Sequence, residues 1–289
     1  MKIGTYFAYW EKEWDVDFFP YISKVKKLGF DILEIAGGGL ADLSDEKVIA
    51  LRDEAKRCGI MLTACIGLPK CYDVSSEDES VRQNGISYMK RLIDKAALAD
   101  IHQIGGITYA YWPVDYSKPV RKEVVREISI RSIRELADYA KPKDVTLTLE
   151  VVNRFEQFMF NDAAEATQYV KEVDRDNVKV MLDSFHMNIE EDSFYDAIVA
   201  TGSYLGHYHV GEPNRKVPGK GRMPWDEIGR ALRDIGYDGT VVMEPFVRMG
   251  GGVGSDIKVW RDLSGGASDE QLDAEIAESC AFLRKVLNG

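Results

Sequence analysis

The pattern that most limits the possible folds is an alternation. Apolar runs of five to seven residues are each followed by a longer amphipathic stretch, eight times in 289 residues. The runs predict strands at 3–8, 31–36, 61–66, 101–107, 145–151, 178–183, 205–210 and 240–244. The stretches predict helices at 17–28, 44–58, 76–99, 122–140, 162–173, 194–201 and 225–235, and a last helix at 269–286 closes the chain. Gly29, Gly59, Gly202 and Gly236 fall at or near helix ends, where a left-handed cap suits glycine. SDEK at 44–47 and SSED at 75–78 read as helix starts with acids in the first turn. No linker, low-complexity tract or shift in composition divides the series. The expectation is one α/β domain over 1–289, a (β/α)8 TIM barrel with a C-terminal helix. A doubly wound sheet wants a glycine fingerprint after its first strand, and TYFAYWEKEW has none.

Such barrels carry their chemistry at the C-terminal ends of the strands. The sixth run, NVKVMLD, breaks abruptly at Asp183, and a carboxylate placed there needs a cation, a donor or water beside it. Three more runs end alike: VTLTLE at Glu150, YLGHYHV near His209, GTVVMEP at Glu244. The four residues are spaced by 33, 26 and 35 positions, each close to one strand-helix-strand step, so they ring one mouth. One such carboxylate alone reads as a cap or an ion-pair partner. Four potential ligands at consecutive strand ends point to a divalent ion such as manganese, cobalt or magnesium rather than to a thiolate-preferring site.

Other polar residues sort by position. His207 and His209 alternate and face the same way; His209 lies nearer the mouth, and His207 is expected a layer deeper as a core histidine. His102 sits at the wrong end of its strand and reads as structural. His186, three residues beyond Asp183, is either a donor to a ligand oxygen or a solvated loop histidine. The loops NRFE at 153–156 and EPNRK at 212–216 bring charges that orient hydroxyls. Tyr6, Trp10, Trp14, Tyr109, Tyr111 and Trp112 crowd the early loops; stacking on a sugar competes there with covering the core, which accounts for at least half of them. The glycine-rich loops at 217–225 and 248–256 lack Walker spacing and read as turns or a lid rather than a phosphate cradle.

Net charge is −11, from 48 acids against 37 bases, which opposes a phosphate-backbone footprint and anionic membranes. MKIGTYFAYW lacks a secretion signal and no later run of about 18 apolar residues occurs, so a soluble cytoplasmic protein is expected, with no nucleic acid or membrane partner. Cys58, Cys65, Cys71 and Cys280 form neither a disulfide framework nor a CxxC site and are expected to be reduced. Cys65 and Cys71 flank a loop, where a packed or idle thiol is the simpler reading than a metal ligand.

From YFAYWEKEW through LGFDILEIA, IGGITYAYWPVDY, LEVVNRFE, NVKVMLDSFHMNIEED, LGHYHVGEPNRKVPGKGRMPW and VVMEPFVRMGG to GSDIKVWRDLS, the chain resembles the D-tagatose 3-epimerase and D-psicose (allulose) 3-epimerase family of xylose-isomerase-like barrels. The resemblance implies a homodimeric or homotetrameric enzyme that inverts C3 of a free ketohexose through a cis-enediolate. It implies one divalent ion per subunit, Mn2+ or Co2+ with Mg2+ the alternative, on Glu150, Asp183, His209 and Glu244, of which Glu150 and Glu244 are also acid and base. Glu156, His186 and Arg215 match the family's polar substrate contacts, and Tyr6 and Trp112 its aromatic ones. Against the family pattern, Ile107 stands where a small residue is usual, Cys65 where glycine is usual, and Gly37 to Gly39 follow the second strand, so pocket walls and the preferred ketose are expected to differ. The rival readings are a related isomerase or epimerase acting on a sugar or sugar phosphate, a three-zinc DNA-repair endonuclease, for which four histidines are too few, and a barrel that only binds sugar.

Overall fold

A computed structural model describes residues 1–289. Eight parallel strands close on themselves in chain order: β1 (Lys2–Tyr6), β2 (Ile32–Ala36), β3 (Met61–Cys65), β4 (Gln103–Gly106), β5 (Thr146–Glu150), β6 (Val178–Asp183), β7 (Leu205–Val210) and β8 (Thr240–Met243), with β8 pairing back onto β1. Every expected strand is present. Several are shorter than their apolar runs by one or two residues, at either end of the strand. Strand β4 stops at Gly106, whose φ of +103° and close approach to the Ile66 carbonyl, 2.4 Å from where a Cβ would lie, admit only glycine. That turn leaves Ile107 outside the strand and facing the mouth.

Eleven α-helices cover the barrel. Eight match the amphipathic stretches and form the outer ring: α1 (Phe19–Lys27), α3 (Asp45–Cys58), α4 (Glu79–Leu98), α5 (Lys122–Ala140), α6 (Ala163–Val173), α8 (Phe194–Thr201), α9 (Trp225–Asp234) and α11 (Asp269–Asn288). Ser44 caps α3 by accepting from the Lys47 amide, and Ser268 and Gln271 form a capping box on α11. The start expected at Ser76 is instead Glu79, because Asp78 takes the cap and accepts from the Ser80 amide. Gly29, Gly59, Gly202 and Gly236 all take positive φ at helix ends. Three further short helices were not expected: α2 (Gly37–Asp42) after β2, α7 (Ser184–Glu190) after β6 and α10 (Gly251–Asp256) after β8. All three sit at the C-terminal ends of strands, around the mouth.

The shell between strands and helices is aliphatic and aromatic, but the barrel's own interior is not. Glu34, Thr63, Thr148, His207 and His209 are buried there. No helix is long and apolar enough to cross a membrane.

Candidate active site

Pairing register brings the four expected ligands to one level. Glu150 and Asp183 end β5 and β6, His209 lies opposite Asp183 on β7, and Glu244 follows β8 directly, one residue past the strand in which it was expected. One donor atom from each lies within 4.8 Å of the others, and all four side chains are buried. Burial, together with the charge of Glu244, pushes the Glu150 carboxyl well up. Burial raises Asp183 to about 6, although Arg215 pulls the other way. Burial alone would lower His209, but the Glu34 and Glu244 carboxylates push it well up. Three buried acids against one arginine and one imidazole form a site short of positive charge.

His209 shows how such a cation fits. Its Nε2 stands 2.5 Å from Glu34 Oε1, a contact to a carboxylate that makes Nε2 the protonated nitrogen of the neutral ring. Its Nδ1 has no hydrogen-bond partner and lies 3.5 Å from Glu244 Oε1, facing the carboxylates; the raised pKa puts a proton there in the metal-free chain, and a bound cation would take that proton's place. A carboxylate behind a histidine whose other nitrogen faces an acidic cluster is the usual support of a metal ligand. The residues present fit a divalent ion. Glu34 was not singled out from the sequence; its only signal is a glutamate amid the apolar residues of DILEIA. Burial would raise its carboxyl, but His209 and His207 hold it well below the usual range.

A second tier of side chains surrounds this floor. His186 is not in a loop but on α7, whose N-cap is Asp183 accepting from the Phe185 amide. The Asn153 backbone N–H donates to His186 Nδ1 at 3.1 Å, and the Asn153 side chain lies 2.8 Å from the same atom. Nδ1 is therefore an acceptor and Nε2 carries the proton, 3.8 Å from both Glu150 Oε1 and Asp183 Oδ2. Burial and the Arg215 charge keep His186 neutral, its pKa well below the ordinary value. Glu156 accepts from the indole N–H of Trp112 at 3.1 Å and from Asn153 at 3.3 Å. Arg215, with a left-handed backbone at φ 62°, donates through Nη1 to Glu244 and Asp183 at 2.9 and 3.1 Å while its guanidinium lies over the Phe185 ring.

A cavity of about 540 Å³ opens above these groups. Tyr6, Ile107, Trp112, Glu156, His186 and Arg215 all line it, with Glu150 and Glu244 at its floor; Asp183 and His209 lie beneath. Cys65, Gly38 and Gly39 form part of the wall, whereas Gly37 packs beneath Ile66. Of the six early aromatics, Tyr6, Trp14 and Trp112 line the cavity, while Trp10 donates to Asp273 and Tyr109 to the Glu150 carbonyl. Tyr88, Asp42, Asp15 and Asp256 are wall residues the sequence did not point to. His207 is a buried histidine a layer below His209, His102 is exposed at the opposite end, and Cys71 is exposed.

Neither glycine-rich loop offers a phosphate cradle. The buried Glu212 carboxylate already takes the Gly219 and Met223 amides and the Trp225 indole. The other loop forms α10, which docks on the segment after β1: Val253 and Gly252 donate to Lys12 O and Glu13 Oε2, and Trp14 donates to Asp256. Lys220 and Arg248 pair with Glu278 and Asp269, and Arg215 is the one cationic side chain lining the cavity.

Residues 22–286 match the xylose isomerase-like TIM barrel family. The chain is 54% identical to the D-psicose 3-epimerase of Agrobacterium fabrum (strain C58), over 100% of both chains. It is similar to a solved D-psicose 3-epimerase crystallised in the presence of D-fructose, with a TM-score of 0.99 over 100% of both chains at 54% identity. A D-psicose 3-epimerase with D-tagatose from Clostridium cellulolyticum H10 gives a TM-score of 0.98 over 99% of both chains at 53% identity.

Proposed function

The chain belongs to the D-psicose 3-epimerase family of xylose isomerase-like TIM barrels, and from that premise we propose that it inverts C3 of a free ketohexose of the D-fructose and D-psicose type. The observation that carries this reading is the pair Glu150 and Glu244, two carboxylates on the floor of one cavity with donor atoms within 4.8 Å. Epimerisation needs a base on one face of C3 and an acid on the other. One glutamate takes the C3 proton, leaving a cis-enediolate, and the other returns a proton to the opposite face. The roles exchange when the reaction runs backwards. Burial makes the Glu150 carboxylate a stronger base than in water, which narrows the gap to a weakly acidic C–H.

A divalent ion held by Glu150, Asp183, His209 and Glu244, Mn2+ or Co2+ with Mg2+ the alternative, would supply Lewis-acid polarisation of the C2 carbonyl. His186 presents its Nε2–H and Arg215 its guanidinium to the oxygens on which negative charge develops. Glu156, steadied by Trp112 and Asn153, orients a substrate hydroxyl by accepting from it. Tyr6, Trp112 and Ile107 provide apolar wall for the sugar's carbon skeleton.

A phosphate ester is disfavoured as substrate. Asp15, Asp42 and Asp256 line the outer cavity, and its one arginine is engaged by Asp183 and Glu244. The deciding experiment is proton NMR in heavy water of chelator-stripped protein with D-fructose, before and after Mn2+ is added. Mn2+-dependent loss of the C3 proton with growth of D-psicose is expected. Absence of exchange with free ketoses, together with turnover of a phosphorylated one, would overturn the reading.

A further inference from the structure

Below the cluster, a row of polar side chains crosses the barrel interior and takes no part in the proton transfers above. Glu34, in the middle of β2 and 0% exposed, places Oε1 2.5 Å from His209 Nε2. Its Oε2 stands 2.8 Å from Thr63 Oγ1 and 3.2 Å from His207 Nε2. His207 Nδ1 is 2.6 Å from Thr240 Oγ1, which lies 3.1 Å from the amide of Gln103. Strands β2, β3, β4, β7 and β8 each contribute to this one row.

Its protons can be assigned by counting donors. An ionised carboxylate only accepts, so Glu34 takes His209 Nε2–H and Thr63 O–H as its hydrogen bonds; His207 Nε2, 3.2 Å away, completes no hydrogen bond but is placed with its N–H towards the carboxylate. A neutral His207 protonated on Nε2 accepts at Nδ1, so the Thr240 hydroxyl donates there and its oxygen is free to accept. The structure turns the Gln103 amide oxygen to Thr240 at 3.1 Å; exchanging that oxygen and nitrogen makes the amide this donor. This orientation also gives a partner to Gln103 Nε2, which has none with the amide turned the other way. Donors then run in one direction from Gln103 through Thr240 to His207, whose Nε2–H faces Glu34 at 3.2 Å. His209 meets Glu34 from the opposite side, and its Nδ1, unused by any protein group, is left for the ion. A merely space-filling residue at position 34 would call for none of these donors, and burying an acid here without them would cost several kcal/mol.

We propose that Glu34 is the positioning residue of this site: it fixes His209 as the Nε2–H tautomer and so makes Nδ1 a metal ligand. Thr63 Oγ1, and the His207 ring held in turn by Thr240, keep the Glu34 carboxylate in place. The inference rests on the reading of the strand-end cluster as a divalent-metal site.

The test is binding of Mn2+ alone to the chelator-stripped full chain, followed by the electron paramagnetic resonance of free aqueous Mn2+. E34Q preserves volume but removes the charge and sets an amide nitrogen against one of the donors that Glu34 accepts. It should keep the fold, with an unchanged circular dichroism spectrum, and weaken Mn2+ by about 10- to 100-fold, the usual effect of losing such a partner. E34D, which restores the charge on a shorter arm, should recover part of the affinity, a result that a purely structural role does not produce. T240V removes the donor to His207 three groups away from the ion. It should give a smaller loss, and it carries the test should E34Q not fold. E34Q, or T240V in its place, binding Mn2+ as tightly as wild type overturns the inference. Wild type that binds no Mn2+ overturns instead the metal reading beneath it.

Discussion

Backbone amides and neighbouring acids decide the protonation of side chains here. The Asn153 N–H fixes the His186 tautomer, and burial beside Arg215 keeps that ring neutral. Nitrogen NMR of His186 should accordingly show a neutral ring, protonated on Nε2, throughout pH 6–8. A His186 signal titrating near its ordinary value of about 6.5 would contradict this. At Glu150 and Glu244 the amide replacements E150Q and E244Q keep the shape but remove the proton carrier. Each should lower kcat by at least about 10²- to 10⁴-fold, the typical worth of a positioned acid or base, with the circular dichroism spectrum unchanged. Near-normal turnover in either variant refutes a two-carboxylate mechanism.

At the scale of elements, the strands and the ring helices were legible, and the short helices at the mouth were not. Strand ends at Glu150 and Asp183 stand out because an apolar run breaks into a charge, and His209 lies one residue before the end of β7. Helix α2 begins GGG and α10 GGVG, sequences with poor helix propensity and no apolar period; tertiary contacts impose their form. Gly39 faces Phe18 with only 2.9 Å for a Cβ, a constraint no local pattern carries. Glu34 escaped notice for a related reason. It sits in mid-strand, where an acid reads as an anomaly until the histidines of β7 are seen to face it across the barrel.

The α10 contact has a mechanical consequence. Gly251, at φ 68°, would place a Cβ 2.1 Å from the Lys12 carbonyl, so G251A must push α10 off the segment that carries Trp14. Because that segment and Asp256 line the outer cavity, G251A should raise KM for a ketose several-fold while kcat falls less. Equal loss in both parameters from steady-state kinetics would remove α10 from substrate retention.

For the molecule as a whole, the acid cluster couples stability to pH and to metal. In the metal-free chain Asp183 at about 6, Glu150 and His209 all have folded pKa values above their ordinary ones. The folded state therefore binds more protons than the unfolded one. The stability these groups contribute is complete below their unfolded pKa values and is lost as pH rises through the folded ones, for Asp183 between about 4 and 6. A divalent ion must displace the same protons, so it binds more tightly at the higher pH. With the ion at about 100 times its Kd, stabilisation is about 2.7 kcal/mol, a rise in midpoint on the order of 5 °C. Scanning fluorimetry of stripped protein with and without a fixed Mn2+ concentration should therefore give a larger rise at pH 7.5 than at pH 5. A rise that is equal at both, or larger at pH 5, would mean that the ion does not compete with protons on Asp183, Glu150 and His209, and would move the metal away from this cluster.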